Sequence, residues 1–203
     1  MTDKKITGEL EKFSYSLGMS IAGNLIKSGV STISPEHFLE GITDTFNGQM
    51  PKIMPDEANR ILEEFITKAS KGQNDKNLEA GLQFLSENKK KAEVTELPSG
   101  LQYQILKEGS GEIPTFTDEV KCHYHGTLID GTVFDSSVKR GQPAVFPVNG
   151  VIQGWVEALQ LMSTGSKWRL FIPPGLAYGE QGAGGVIGPN TTLIFDVELL
   201  EIV

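Results

Sequence analysis

Residues 123–137 read His-Tyr-His-Gly-Thr-Leu-Ile-Asp-Gly-Thr-Val-Phe-Asp-Ser-Ser. Asp130-Gly131 is a hairpin turn signal set between Leu128 and Val133. Just upstream, Val120, Cys122 and Tyr124 alternate with polar neighbours, the period of a strand with one buried face. The same alternation recurs at Leu101, Tyr103 and Ile105 and at Trp168, Leu170 and Ile172. The last twelve residues, Thr-Leu-Ile-Phe-Asp-Val-Glu-Leu-Leu-Glu-Ile-Val, are long and apolar enough for a central strand. Only Ile152 to Met162 reads as a helix here, and it is short. An antiparallel sheet wrapped around one short helix is the economical solution, so residues 100–203 are expected to form an α+β domain.

The grammar differs over residues 1–92, which carry 8 Gly and 3 Pro against 15 and 7 in residues 93–203. Leu10, Phe13, Leu17, Ile21 and Leu25 recur at steps of three and four, one apolar stripe of a helix ending near Gly29. Ser34-Pro35-Glu36 opens a second helix with a hydroxyl cap and an early acid. It carries Phe38, Leu39, Ile42 and Phe46 inward and stops at Gly48. A third helix opens at Pro55-Asp56-Glu57 and runs through Ile61, Leu62, Phe65 and Ile66.

The apolar period lapses from Ser70 to Asn77 and resumes at Leu78, Leu82 and Leu85, about half a turn round. With no proline before Pro98, one continuous helix presenting its two halves to different partners is the favoured reading. A break near Gly72 is the alternative. Three such helices have little core of their own. An all-α dimerisation module over 1–92 is therefore expected, with a helical domain packed on its own second half as the competing reading. Residues 93–99 are the expected joint.

The 203 residues carry a formal net charge of -8, which argues against non-specific nucleic-acid binding. No run of 18 apolar residues is present to span a membrane. A single cysteine, Cys122, excludes an intrachain disulfide and fits a reducing compartment. With no apolar leader behind Lys4 and Lys5, the expectation is a cytoplasmic protein, or a periplasmic or exported one if the chain is a trimmed mature form.

Residues 175–190 hold six of the 23 glycines, which invites a phosphate-binding reading. The details oppose it: Gly185 stands where a Walker loop needs lysine, and a strand follows rather than a helix. Tyr178, Val186 and Ile187 make the loop a candidate flap over an apolar pocket. His123 and His125 share a strand face but lack a third ligand, so no metal is expected. Ser136 and Ser137 lack the glycine-flanked elbow of a hydrolase nucleophile.

The stretch 123–137 resembles the opening signature of FKBP-type peptidyl-prolyl isomerases. Gly-Val-Ile-Gln-Gly-Trp (150–155), Pro-Pro-Gly-Leu-Ala-Tyr-Gly (173–179) and Pro-Asn-Thr-Thr-Leu-Ile-Phe-Asp-Val-Glu-Leu (189–199) follow in the same order. Tyr-Ser-Leu-Gly-Met-Ser and Phe-Leu-Glu-Gly-Ile, nearer the N-terminus, are similar to the helical domain of the bacterial Mip/FKBP22-like group. The resemblance implies an enzyme of X-Pro isomerisation, without cofactor, in a V-shaped homodimer whose cleft binds unfolded or partly folded proline-containing proteins. Macrolides of the FK506 and rapamycin kind are implied as pocket ligands.

By the same resemblance Trp155 is the pocket floor, and Tyr124, Phe134 and Phe195 are walls, with Val151 and Ile187 completing the lining. Ile152 offers a backbone N–H, Tyr178 a hydroxyl, and Asp135 lies beside the twisting amide, held by Tyr124 and Arg140. Two departures stand out. Ala144 replaces a frequent aromatic and Ala183 is small at the loop tip. A non-catalytic binding module of the same fold is the alternative they favour.

Overall fold

The computed structural model describes residues 6–203. The chain forms two compact units, one running up to Gln73 and the other Asn74–Val203.

The first unit is helical: α1 (Glu9–Lys27), α2 (Pro35–Phe46) and the start of α3 (Pro55–Asn88). Helix α3 is continuous over 34 residues, so the break near Gly72 does not occur. Acids in the first turns of α1, α2 and α3 face the positive helix ends. Ser34 sits at the α2 N-cap, but its hydroxyl pairs with His37 Nδ1 at 2.8 Å rather than with a helix N–H. The apolar stripes read from the sequence are present but lie at the surface of the single chain. Phe13 is 64% exposed, Phe46 85% and Phe65 56%. Phe46, expected to point inward, and its counterparts in α1 and α3 are each more than half exposed in the single chain.

The second unit is a seven-stranded antiparallel sheet with short helices. Its strands are β1 (Thr95–Glu96), β2 (Gln102–Lys107), β3 (Glu119–Leu128), β4 (Val133–Ser136), β5 (Ala144–Pro147), β6 (Lys167–Ile172) and β7 (Leu193–Ile202). Their order is β1-β2-β6-β7-β3-β4, with β5 also on β3, and the sheet does not close into a barrel. The C-terminal strand is central, between β6 and β3. Strands β5 and β4 share one edge of β3, the first pairing Glu119 to Cys122 and the second His125 to Thr127.

Alternation puts Val120, Cys122, Tyr124, Leu193, Phe195, Val197, Leu199, Leu170 and Ile172 on one face. There they meet Trp155, Ala158 and Leu159 of α5 (Gln153–Leu159) and Met162 just beyond it. Cys122 is fully buried, and burial pushes its thiol up to about 12, so it packs as a small apolar group. A single turn, α4 (Ser137–Arg140), follows β4 and is capped by Ser136, whose hydroxyl accepts from the Lys139 N–H at 3.1 Å.

The second half of α3 covers part of the opposite sheet face with only part of the expected stripe. Leu85 is buried, but Leu78 is 38% and Leu82 60% exposed, and Gly81 and Asn88 are buried as well. Phe84 lies 5.9 Å from the Phe171 ring. Amides and a glycine make this contact as much as apolar side chains, and hydrophobic periodicity does not register them. Asn88 Nδ2 donates to Gln102 Oε1 at 2.9 Å, and Gln102 Nε2 donates to the Leu85 carbonyl at 2.9 Å and to Glu96 Oε1 at 3.0 Å. Residues 93–99 thus include a paired strand, tied further by Leu97 N–H to the Leu101 carbonyl at 2.8 Å.

Because Asn88 and Gln102 are almost fully buried, removing one leaves the other's polar atoms unpaired. Gln102→Ala is expected to cost on the order of 3 kcal/mol. A urea titration of the full chain, followed by near-ultraviolet dichroism of the sheet's aromatic rings, should show a lower midpoint; an unchanged one removes the network from the stabilising interactions.

Candidate active site

One end of the core opens into a cavity of about 670 Å³. Tyr124, Phe134, Asp135, Val151, Ile152, Trp155, Tyr178, Ile187 and Phe195, the nine positions named from the sequence, all line it. They come from β3, β4, the turn into α5, α5 itself, the glycine loop and β7. Trp155 is 4% exposed and projects from the first turn of α5. Three rings stand nearly perpendicular to it: Tyr124 at 5.6 Å and 81°, Phe146 at 5.8 Å and 82°, and Phe195 at 5.3 Å and 83°. Edge-to-face contacts of this kind suit the ring quadrupoles and fix the floor in one orientation. Phe134 extends the wall, meeting Phe195 at 5.3 Å and 81°.

Phe146 was not among the expected residues. Ala144 and Phe146 occupy the same side of β5, so the strand's period points to it once the strand is placed. Phe146 lines the cavity and Ala144 does not. Ala183 does line it, with Gly150, Gly184 and Val186.

A polar cluster stands at the rim. The Tyr124 hydroxyl donates to Asp135 Oδ2 at 2.6 Å, and the Ser136 N–H donates to Asp135 Oδ1 at 2.8 Å. Arg140 pairs with the same carboxylate through Nη1 and donates from Nη2 to the Tyr124 hydroxyl at 2.7 Å. Its guanidinium lies 5.5 Å from the Tyr124 ring centre, a cation–π position. Burial works against the Asp135 charge, but Tyr124, Arg140 and the Ser136 N–H together outweigh it and hold the carboxyl below its ordinary value. The Tyr124 phenol is pushed up, by burial first and then by the neighbouring carboxylate. Asp135 is therefore an ionised, fixed acceptor beside an apolar cavity.

The glycine loop is built as a flap. A short turn, Gly179–Gln181, leads to Gly182, where φ is 62° and a Cβ would stand 2.3 Å from the Ile187 carbonyl oxygen. Ala183 and Ile187 exchange backbone hydrogen bonds at 2.9 and 3.1 Å, which turns the loop back on itself. That reversal places Ile187 and Val186 over the cavity rather than aiming N–H groups at an anion.

The histidines lie outside the cavity lining. His123 Nδ1 pairs with Ser137 Oγ at 3.0 Å and His125 Nδ1 with Ser136 Oγ at 2.9 Å. Ser137 Oγ also accepts from the Tyr124 N–H at 2.7 Å, so both serines have structural partners. Among the described residues no three His, Cys, Asp or Glu side chains could hold a metal ion together.

With this geometry in hand, residues 110–200 match the family described as FKBP-type peptidyl-prolyl cis-trans isomerase. Residues 10–105 match the domain amino terminal to FKBP-type peptidyl-prolyl isomerase. The FKBP-type 22 kDa peptidyl-prolyl cis-trans isomerase of Escherichia coli is 50% identical over 192 residues, 93% of each chain. The chain belongs to the FKBP-type peptidyl-prolyl isomerases.

It is thus an enzyme of prolyl cis–trans isomerisation, related to the bacterial Mip and FkpA proteins. The crystal structure of FkpA from Escherichia coli superposes with a TM-score of 0.69 at 34% identity, covering 98% of both chains. The Outer membrane protein MIP of Legionella longbeachae is 43% identical over 204 residues, 97% of this chain and 87% of that one. This last relative overturns the cytoplasmic placement expected from the sequence. A lone cysteine and the lack of an apolar leader within these residues do not define a compartment. No helix among the described residues is long and apolar enough to cross a membrane.

Gly126 in β3 leaves room for the two wall rings: a Cβ there would stand 2.6 Å from Phe134 Cε2 and 2.8 Å from Phe195 Cε1. Gly126→Ala is expected to drive these rings into the cavity and lower kcat/KM for a proline tetrapeptide about tenfold. A wild-type rate in a protease-coupled assay would show that the wall tolerates the methyl group.

Proposed function

We propose that the cavity over Trp155 is the site where the prolyl amide twists, and that residues 1–92 pair two such chains. The observation that carries the first part is the combination of a largely aromatic, apolar cavity with one immobilised carboxylate, Asp135, at its rim.

An amide resists rotation because conjugation gives its C–N bond double-bond character. At the twisted midpoint that conjugation is lost and the carbonyl becomes less polar. Apolar walls disfavour the planar amide more than the twisted one, a differential binding that lowers the barrier. Uncatalysed X-Pro exchange takes tens to hundreds of seconds. Reaching roughly 100 turnovers per second needs about 10⁴-fold, or about 5.4 kcal/mol.

In this reading Trp155, Tyr124, Phe146 and Phe195 seat the prolyl ring, and Phe134, Val151 and Ile187 exclude water. The Ile152 N–H and the Tyr178 hydroxyl bind peptide carbonyls, and Asp135 fixes the polarity beside the rotating bond. Only bond rotation occurs, so the residues need supply no nucleophile. Macrolides that imitate a prolyl dipeptide would enter the same cavity.

A refolding assay limited by proline isomerisation tests the site. Tyr178→Phe is expected to lower kcat/KM about threefold to tenfold, one hydrogen bond's worth. Asp135→Leu is expected to cost more, since it also strands Tyr124 and Arg140. Wild-type rates in both variants would remove these groups from the mechanism.

The helical residues bear on the second part. Phe13, Phe46 and Phe65, exposed in one chain, belong to stripes with helical spacing, which suits burial against a second copy. A 1–92 dimerisation module, a 93–99 joint and a 100–203 isomerase domain would then hold two pockets in one assembly. A cleft between them would give long unfolded clients extra contacts. Light scattering of the full chain should return twice the 22.1 kDa chain mass; a monomer mass at micromolar concentration refutes the pairing.

A further inference from the structure

The flap that carries Ile187 is held at its outgoing limb by helix α3. Asn77 Nδ2 donates to the Pro189 carbonyl at 2.7 Å and lies 3.4 Å from Thr191 Oγ1. Thr191 Oγ1 in turn donates to the Gly188 carbonyl at 2.8 Å, so the amide braces a folded segment rather than a single atom. One turn further along the helix, Gly81 brings the α3 backbone against Thr192, where a Cβ would stand 2.4 Å from Oγ1. The same limb closes the flap at its base: the Asn190 N–H donates to the Gly179 carbonyl at 2.8 Å, next to Tyr178. Asn190 adopts φ 52°, the one positive φ outside glycine among the described residues. Asparagine tolerates this left-handed conformation better than most residues with a side chain, and it suits the tight turn of the limb here.

We infer that Asn77, outside the cavity lining and on a different element, is a positioning residue that sets the closed form of the flap. Ile187, 9% exposed, is only two residues from the bonded Pro189 carbonyl. Pro189 has no N–H, so its carbonyl is the backbone group by which that residue can be tied. A short-limbed flap closed by few backbone bonds samples open forms more often when neither limb is anchored. Anchoring one limb on α3 raises the fraction of molecules whose cavity is ready, and apparent affinity scales with that fraction. The inference rests on the cavity being the isomerase site.

The test uses the full chain with Asn77→Ala and Asn77→Asp. The first removes both donors and leaves a better helix former; the second keeps the shape but turns an acceptor toward the Pro189 carbonyl. In both, kcat/KM for a proline tetrapeptide should fall about threefold to tenfold, chiefly through KM. Hydrogen exchange at the Asn190, Ala183 and Ile187 amides should accelerate by a similar factor, while β3 and β7 amides keep their rates. Lys76→Ala, one residue along and exposed, should match the wild type in both measurements.

Unchanged flap exchange, or loosened flap amides with unchanged kcat/KM, overturns the inference. So does an equal loss of protection throughout the sheet, which would make Asn77 a general stabiliser. The identity of the site is judged separately, from the wild-type rate and Tyr178→Phe.

Discussion

The second unit depends on one indole doing two things at once. Trp155 is the point where α5 meets the sheet, and its far side is the floor of the cavity. Its neighbours Tyr124 and Phe195 belong to the paired strands β3 and β7, and Phe146 to a strand paired with β3. The walls are therefore core side chains that the sheet register already holds in place. A ligand entering such a cavity meets little remaining side-chain freedom to freeze, which is the main saving that preorganisation offers.

Against this apolar frame the charge at the rim has a defined job. Asp135 stays ionised despite partial burial because three groups donate to it, and those donors also fix where its oxygens lie. A mobile carboxylate would be screened by water and would average its field away. Held by Tyr124 and Arg140, it presents a constant field to the cavity.

Much of this was legible because the chemistry is packed into short motifs. His-Tyr-His-Gly, Phe-Asp-Ser and Val-Ile-Gln-Gly-Trp each carry cavity residues within a few positions of one another, and strand alternation says which of them face inward. Phe146 lies outside those motifs, on the same face as Ala144 two residues on, and its inward side follows only from the register of β5 on β3. The packing face of α3 was legible only in part. Leu85 of the expected stripe reaches it, but Asn77, Gly81 and Asn88 share it, and two amides and a glycine have no hydrophobic signal. In the N-terminal helices the stripes were legible, but whether a stripe meets its own chain or another is not written in its period. Cellular placement was not legible at all, since burial and periodicity are the same on either side of a membrane.

The two tryptophans of the chain, Trp155 and Trp168, both lie in the Asn74–Val203 unit. Trp168 is stacked on Tyr103 at 4.3 Å and 11°, and it does not line the cavity. Its emission is a constant background. Of the two, Trp155 alone has a face on the cavity, so anything that fills the cavity changes the surroundings of one fluorophore and leaves the other alone. The molecule carries its own optical gauge of occupancy, and the helical residues up to Gln73 contribute no indole light to blur it.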